Sequence, residues 1–89
     1  MKAIPPCYLT PDLYPDRLNR QIGRELRARR ESLNLSAYAL SKDARVTDQT
    51  ILNIEQGTTS PNLTTLALLC LRFGIRVAEF LASAEQRPD

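Results

Sequence analysis

Residues 17–30 hold the densest group of side chains that can bind phosphate. This segment contains six arginines and one acidic residue, Glu25, which gives it a net charge of +5, whereas the rest of the chain sums to −3. The arginines are Arg17, Arg20, Arg24, Arg27, Arg29 and Arg30. A planar guanidinium group pairs with two phosphate oxygens at once, so arginine suits a phosphate backbone better than lysine does. The composition is typical either of a surface that binds nucleic-acid phosphates or of a solvated helix face, and it leaves both open.

The residue types give no support to catalytic or metal-binding chemistry. The chain contains no histidine, which removes the commonest general base and the commonest metal ligand. Its only cysteines, Cys7 and Cys70, are too few for a four-ligand zinc site or a disulfide framework. We therefore expect no enzyme, no metal, no cofactor and no small-molecule substrate.

Length and composition predict one small folded domain. The 89 residues are 43% hydrophobic and 25% charged, which excludes a wholly disordered chain. Five aromatic residues are few for a module that stacks on single-stranded nucleic acid.

The most apolar run, residues 63–81, contains charged residues and a glycine, and prolines interrupt the first residues before an export signal can form. We expect a cytoplasmic protein that does not enter a membrane.

The spacing of apolar residues predicts five helices and no strand. In the first helix, apolar residues recur at steps of three and four up to Leu33, with Asp16 as the N-cap. The other predicted helices cover residues 37–44, 48–56, 63–73 and 77–84, with N-caps at Ser36, Thr47 and Asn62 for the first three of them. The domain is thus expected at residues 16–84. Residues 1–15 hold four of the six prolines and predict an extended arm with one turn begun by Thr10, and residues 85–89 are expected to fray.

Residues from the first to the fifth helix form one motif in register. The pattern comprises Ile22-Gly23-x-x-Leu26-Arg27-x-x-Arg30, Leu35-Ser36, Leu40-Ser41 and Val46-Thr47-x-x-Thr50-Ile51-x-x-Ile54-Glu55-x-Gly57, followed by Pro61-Asn62-Leu63-x-Thr65-Leu66 and Phe73-Gly74-Ile75 through Phe80-Leu81. It resembles the Cro/repressor-type helix-turn-helix, or XRE family, over about residues 17–82. The resemblance implies an all-α, five-helix, lambda-repressor-like domain that binds double-stranded DNA. It further implies a transcription regulator, acting as a homodimer on a pseudopalindromic operator, with helix 48–56 in the major groove.

The resemblance also implies which residues contact DNA. The expected base-reading residues are Thr47, Asp48, Gln49, Leu52 and Asn53. Helical spacing independently places the last four on the face opposite Ile51 and Ile54. The expected phosphate contacts are Arg30, Ser36, Ala37, Thr58, Thr59 and Ser60. An amide at Gln49 or Asn53 can pair bidentately with adenine, a carboxylate at Asp48 can accept from cytosine, and Leu52 can touch a thymine methyl.

The family pattern further implies an ion pair and shows three departures. Arg30 and Glu55 are expected to pair across the ends of the first and third helices. Ala37 stands where the family has a phosphate-gripping glutamine, and the loop at residues 58–60 lacks the usual basic residue. Arg45 stands where the family has a left-handed glycine, which costs about 1 to 2 kcal/mol if that conformation is kept.

The expected partners besides DNA are a second copy and, alternatively, another protein. The predicted dimer surface on the fifth helix comprises Val77, Phe80, Leu81 and Ala84. The alternative function is that of an antitoxin, or a related interaction module of the same fold, whose arm at residues 1–15 wraps a partner such as a toxin. Phage repressor, restriction–modification controller and antitoxin contexts all remain open at this point.

Overall fold

The computed structural model describes residues 10–88, and these residues form five helices joined by short loops. The helices are α1 (Tyr14–Ser32), α2 (Ala37–Ala44), α3 (Asp48–Glu55), α4 (Leu63–Phe73) and α5 (Val77–Glu85). No strand occurs between residues 10 and 88, so the expected all-α, five-helix domain is confirmed. In the same range, no helix is long and apolar enough to cross a membrane.

Polar side chains start three of the helices, as predicted. Ser36 accepts a hydrogen bond from the Ala39 amide at 3.0 Å, and Asn62 accepts from the Thr65 amide at 2.7 Å. Thr47 does the same for the amide of Thr50, at 3.1 Å. Each bond satisfies an amide that the first helical turn leaves without an intrahelical partner. The capping residues thereby fix where α2, α3 and α4 begin.

The first helix begins earlier than the sequence predicts. Its N-cap is Leu13 rather than Asp16, which instead lies in the first turn of α1. Pro15 is tolerated there because the first helical amides need no intrahelical acceptor. The predicted turn at Thr10 is present, since Thr10 Oγ1 accepts from the Leu13 amide at 3.2 Å. Residues 1–9, on which the expected arm and its contact with a partner depend, lie outside the described residues.

Six large side chains, drawn from all five helices, form the centre of the core. They are Leu26, Leu40, Ile51, Ile54, Leu69 and Phe80, and each is almost or completely buried. Helix α1 packs against α3 and α5, while α2 packs against α3 and α4. Because α3 is held by α1 and α2 together, only its remaining face is left to solvent.

Helices α1 and α3 approach each other closely at Gly23. A Cβ added at this position would collide with the carbonyl oxygens of Ile54 and Glu55, lying 2.8 Å from the latter. These are backbone atoms at the end of α3, so they cannot move aside as a flexible side chain can. Gly23 therefore sets how closely α3 lies against α1.

Polar side chains of α1 contact the C-terminal segment, residues 85–88, for which the sequence predicts fraying. Gln21, which is buried, donates through Nε2 to the carbonyl oxygens of Glu85 at 3.2 Å and Arg87 at 2.7 Å. Arg24 donates to the carbonyl oxygen of Pro88 at 2.6 Å. Arg87 in turn donates to the buried carboxylate of Glu25 at 2.6 Å. These hydrogen bonds join residues 85–88 to α1, while the domain boundary at residue 84 stays a prediction.

Replacing Gly23 by alanine tests the close contact between α1 and α3. In an ordinary helix interior, Gly→Ala stabilises by up to about 1 kcal/mol. Here we expect the opposite sign, a loss of about 1 to 3 kcal/mol, because the added methyl group overpacks against backbone carbonyls. Urea denaturation of the variant and the parent measures the difference. A gain in the free energy of unfolding would contradict the packing assigned to this residue.

Replacing Arg45 by glycine tests the turn between α2 and α3. Arg45 has φ 59° and ψ 36°, the left-handed conformation expected from the family pattern. Glycine removes a steric cost of about 1 to 2 kcal/mol but adds chain entropy to the unfolded state, so we expect a net gain of up to about 1 kcal/mol. Arg45→Ala is the matched control, since it removes the same charge and keeps the Cβ. Equal unfolding free energies for the two variants would argue against strain at this position.

Candidate nucleic-acid interface

Helix α3 presents a polar face that its packing leaves open. Ile51 and Ile54 are buried on one side, whereas Asp48, Gln49 and Leu52 are exposed on the other. Leu52 keeps 37% of its surface accessible despite being apolar. Asn53 lies at the edge of this face and is half-buried. The structure thus brings these four predicted base-reading residues together on one side of one helix.

Gln49 and Asn53 are hydrogen-bonded to each other along the exposed face. The distance from Gln49 Nε2 to Asn53 Oδ1 is 2.9 Å, as their spacing of four residues allows. An amide group has two N–H donors and one acceptor oxygen, so Gln49 retains Oε1 and one N–H for another partner. The sequence predicts both residues as base readers but does not reveal the hydrogen bond between them.

The two residues at the start of α3 are engaged by the helix itself. Thr47 Oγ1 caps the helix and also lies 2.7 Å from Thr50 Oγ1. Asp48 Oδ1 accepts from the Gln49 amide at 2.8 Å, and its charge is favourable at the positive end of the helix dipole. Both side chains therefore have a structural role at the N-terminus of α3.

The predicted ion pair between Arg30 and Glu55 is present and bidentate. Arg30 Nε lies 2.7 Å from Glu55 Oε2, and Nη2 lies 2.9 Å from Oε1. Nη1 donates to the carbonyl oxygen of Leu35 at 2.8 Å. The hydrogen bonds to Glu55 raise the pKa of the Arg30 guanidinium above its ordinary value, against the opposing effect of burial. Removing either partner of such a largely buried pair costs about 3 to 5 kcal/mol because the other charge is left uncompensated.

The predicted phosphate contacts lie around the two ends of the α2–α3 unit, but several of their hydroxyls already have partners. Ser36 caps α2, and Thr58 Oγ1 donates to the carbonyl oxygen of Asn53 at 3.1 Å. Ser60 donates to Asn19 Oδ1 at 2.8 Å. Ala37 contributes only its backbone amide, at the N-terminus of α2. Thr59 is exposed in the α3–α4 loop.

The arginines of residues 17–30 bind the domain itself more than the sequence indicates. Arg29 pairs with Glu25 at 2.5 Å, and its guanidinium lies 5.9 Å from the ring centroid of Phe80. Arg27 pairs with Glu31 at 3.3 Å. Arg24 donates to the Pro88 carbonyl and Arg30 pairs with Glu55, so four of the six arginines have a protein acceptor. Arg17 and Arg20 also have partners within the chain. The arginines of this segment therefore pair largely within the domain, either along α1 or with Glu55, Phe80 and Pro88.

The predicted dimer surface on α5 is wrong at two of its four positions. Phe80 and Ala84 have no accessible surface and belong to the core, so a partner cannot reach them. Val77 and Leu81 are partly buried and pack against that core. The four residues form the apolar stripe of α5, and α1 and α4 cover much of it within the same chain. Sequence periodicity marks this stripe as apolar without stating which surface covers it.

Comparisons with known proteins agree with this arrangement. A family model described as helix-turn-helix matches residues 26–80. The clp gene regulator ClgR from Corynebacterium glutamicum has a similar structure, with a TM-score of 0.71 and 26% identity over 76% of this chain and 72% of that one. The competence regulator ComR from Streptococcus vestibularis, in its apo form, gives a TM-score of 0.68 and 29% identity over 73% of this chain, but the match spans only 22% of ComR. No curated protein sequence gives a significant match.

The residues that match the family model include those that form the α2–α3 unit and its contact with α1. The matched residues run from the middle of α1 to the middle of α5, and they include the turn between α2 and α3 and the Arg30–Glu55 pair. The chain therefore belongs to the helix-turn-helix family, in its Cro/repressor or XRE form.

Proposed function

We propose that this protein is a transcription regulator that binds double-stranded DNA in a sequence-specific manner through α3. The observation that carries the proposal is the open face of α3, where the Gln49 amide and the Leu52 side chain project from a helix fixed by Gly23 and the Arg30–Glu55 pair. A helix fixed in this way can enter a major groove as a rigid unit. The solved relatives ClgR and ComR are both named as regulators, which supports the same class of function. Membership of a family of DNA-binding regulators also supports a role without catalysis.

The chemistry of the open face favours readout of an A·T base pair. Adenine presents one acceptor and one donor in the major groove, which match the oxygen and one N–H of a glutamine amide. Gln49 retains both groups while its other N–H donates to Asn53. Asn53 thus orients the amide of Gln49, and its own Nδ2 remains able to donate. Leu52, on the same face, suits contact with a thymine methyl group.

The proposed regulator acts as a homodimer on a pseudopalindromic site. One α3 helix offers at most the five side chains of the expected set, which is too few to select a site in a genome. Two copies related by a two-fold axis double the contacts and place two α3 helices in successive major grooves. Val77 and Leu81, which remain partly accessible, are the part of the predicted surface available for such a contact.

Substitution of Gln49 tests base readout. The wild-type sequence preference is first obtained by selecting duplexes from a random pool, and Gln49→Ala is then measured on the selected duplex and on single base-pair changes. We expect the variant to lose discrimination at one A·T pair, by about 1 to 3 kcal/mol, while other positions keep theirs. Asn53→Ala should weaken discrimination at that same pair, since it frees the Gln49 amide.

The control for this experiment is Thr64→Ala, at an exposed position on α4 rather than α3. It should leave the preference intact. A Gln49→Ala protein that is weaker on all duplexes by the same factor would show that Gln49 does not read a base. A wild-type protein that binds no duplex at low salt would contradict the proposed function altogether.

The symmetry of the selected duplexes tests the dimer. We expect two inverted half-sites whose centres lie about 34 to 36 Å apart, one helical turn. Sedimentation of the complex should give two chains per duplex. A single asymmetric site bound by one chain would contradict the homodimer.

A further inference from the structure

Helix α4 carries an apolar ridge that no part of the described domain covers. Leu63 and Leu71 are 73% and 76% accessible, which makes them the most exposed large apolar side chains among residues 10–88. Ala67 lies midway between them in the sequence and is also exposed. Spacings of four residues place the three side chains along one ridge of the helix. We call Leu63, Ala67 and Leu71 the α4 ridge.

The α4 ridge is separate from the side of α4 that builds the core. The buried residues of this helix are Leu66, Leu69 and Cys70, and the helix packs against α2 and α5. Single apolar residues are ordinary on a protein surface, whereas aligned ones are typical of a surface that contacts another molecule. The ridge therefore calls for a partner from outside the described domain.

The charge around the ridge indicates what kind of partner fits it. Residues 56–71 are the longest run without a charged residue in a chain that is 25% charged. Arg72, the first charge after this run, pairs with Asp43 of α2 at 2.9 Å. A phosphate or an acidic partner would require free cations, and a basic partner would require carboxylates, but the ridge offers neither. A second copy of the chain presents an equally uncharged ridge and meets the first without like-charge repulsion.

The α4 ridge is also symmetric about its centre. Leu63 precedes Ala67 by four residues, and Leu71 follows it by four. A two-fold axis that crosses the helix at Ala67 therefore places residue 63 of each copy beside residue 71 of the other, in an antiparallel pair. The small methyl group at the crossing point lets the two helices approach closely. The antiparallel direction also brings the negative end of each helix dipole next to the positive end of the other.

We propose that the α4 ridge is a homodimer contact, in which the α4 helices of two copies pack antiparallel with the two-fold axis at Ala67. This inference rests on the homodimer of the proposed function and assigns to it a contact outside the expected set. The expected dimer residues all lie on α5, where two are buried and the other two pack against the core. The α4 ridge is more accessible than any of them.

The size of the contact determines how strong the dimer is. A helix of eleven residues is about 16 Å long and about 10 Å wide, so two α4 helices face each other over roughly 160 Å². A stable interface buries about 800 Å² on each partner. We therefore expect a weak and reversible dimer in solution, with a Kd in the micromolar to millimolar range, which two neighbouring half-sites on DNA would reinforce.

Cross-linking through single cysteines tests both the contact and its register. The parent protein carries Cys7→Ser, which leaves the buried Cys70 as its only cysteine. Burial raises the pKa of the Cys70 thiol, so this residue reacts slowly with a maleimide. We expect a short bismaleimide to link two copies of the Ala67→Cys variant, because the two-fold axis brings residue 67 of one copy against residue 67 of the other.

Variants at the two ends of the ridge report the register. In the proposed dimer, the two copies of residue 63 lie about 12 Å apart along the helix axis, whereas residue 63 lies beside residue 71 of the second copy. We expect a mixture of Leu63→Cys and Leu71→Cys proteins to be cross-linked more than either protein alone. Ala78→Cys is the matched control for Ala67→Cys, since Ala78 is also an exposed alanine but lies on α5.

Two cross-linking results would overturn the proposal. Equal linkage of the residue 67 and residue 78 variants would show that α4 has no special proximity to its copy. Linkage of the Leu63→Cys protein alone as efficient as that of the mixture would show that the helices are not antiparallel about Ala67.

Sedimentation in the absence of DNA gives a second measure. We expect the wild type to show a reversible equilibrium between monomer and dimer up to millimolar protein, and Leu71→Glu to weaken association at least about 10-fold, since each dimer loses two buried leucines. Leu13→Glu is the control, because it adds the same charge at a leucine that is 61% accessible at the start of α1. It should associate like the wild type.

The outcomes of sedimentation keep this proposal apart from the proposed function. A wild type that stays monomeric up to millimolar protein would overturn the α4 contact, and so would equal weakening by the Leu13 and Leu71 variants, because the effect would then be one of net charge. Both results would leave DNA binding through α3 standing, since no DNA is present. Failure of the wild type to bind any duplex would instead contradict the proposed function itself.

Discussion

The bidentate ion pair between Arg30 and Glu55 determines where α3 lies. Its guanidinium contacts the end of α3 through two carboxylate oxygens and the chain entering α2 through the Leu35 carbonyl. Because a planar fork fixes direction as well as distance, it holds three segments of the backbone in one arrangement. Gly23 sets the separation of the same two helices, since any Cβ there meets the carbonyls of Ile54 and Glu55. Gly23 thus sets the distance of α3 from α1, and Arg30, on the same helix α1, sets its direction.

Most cations of the described domain pair with acceptors of the same chain, and a few have no protein acceptor. The arginines of α1 act mainly within the chain, where buried Glu25 accepts from both Arg29 and Arg87. Between residues 10 and 88, the cations without a protein acceptor are Lys42, Arg45 and Arg76, and all three lie outside α1. Much of the positive charge behind the net +2 is therefore neutralised within the domain.

Capping residues and apolar spacing, which act over a few positions, predict much of the fold. Contacts between residues far apart in the chain are not predicted by them. The capping residues Ser36, Thr47 and Asn62 act through bonds to residues three positions away, so the sequence alone reveals them. The Arg30–Glu55 pair was predictable only because the family pattern carried it, since the residues are 25 positions apart. The burial of Phe80 and the hydrogen bonds of residues 85–88 to α1 depend on α1 packing against α5, which apolar spacing cannot specify. In the candidate site, the exposed face of α3 followed from helical periodicity. The engagement of Thr47 and Asp48 at the helix start and the bond between Gln49 and Asn53 required coordinates.

The anchoring of the C-terminal segment has a mechanical consequence. Gln21, Arg24 and Glu25 receive residues 85–88 on the same turn of α1 that carries Gly23, where α1 lies against the backbone of α3. A load applied at the C-terminal end is therefore transmitted to α1 before it can peel α5 from the core. A single turn of α1 thus carries both the contacts of the C-terminal segment and the contact that supports α3.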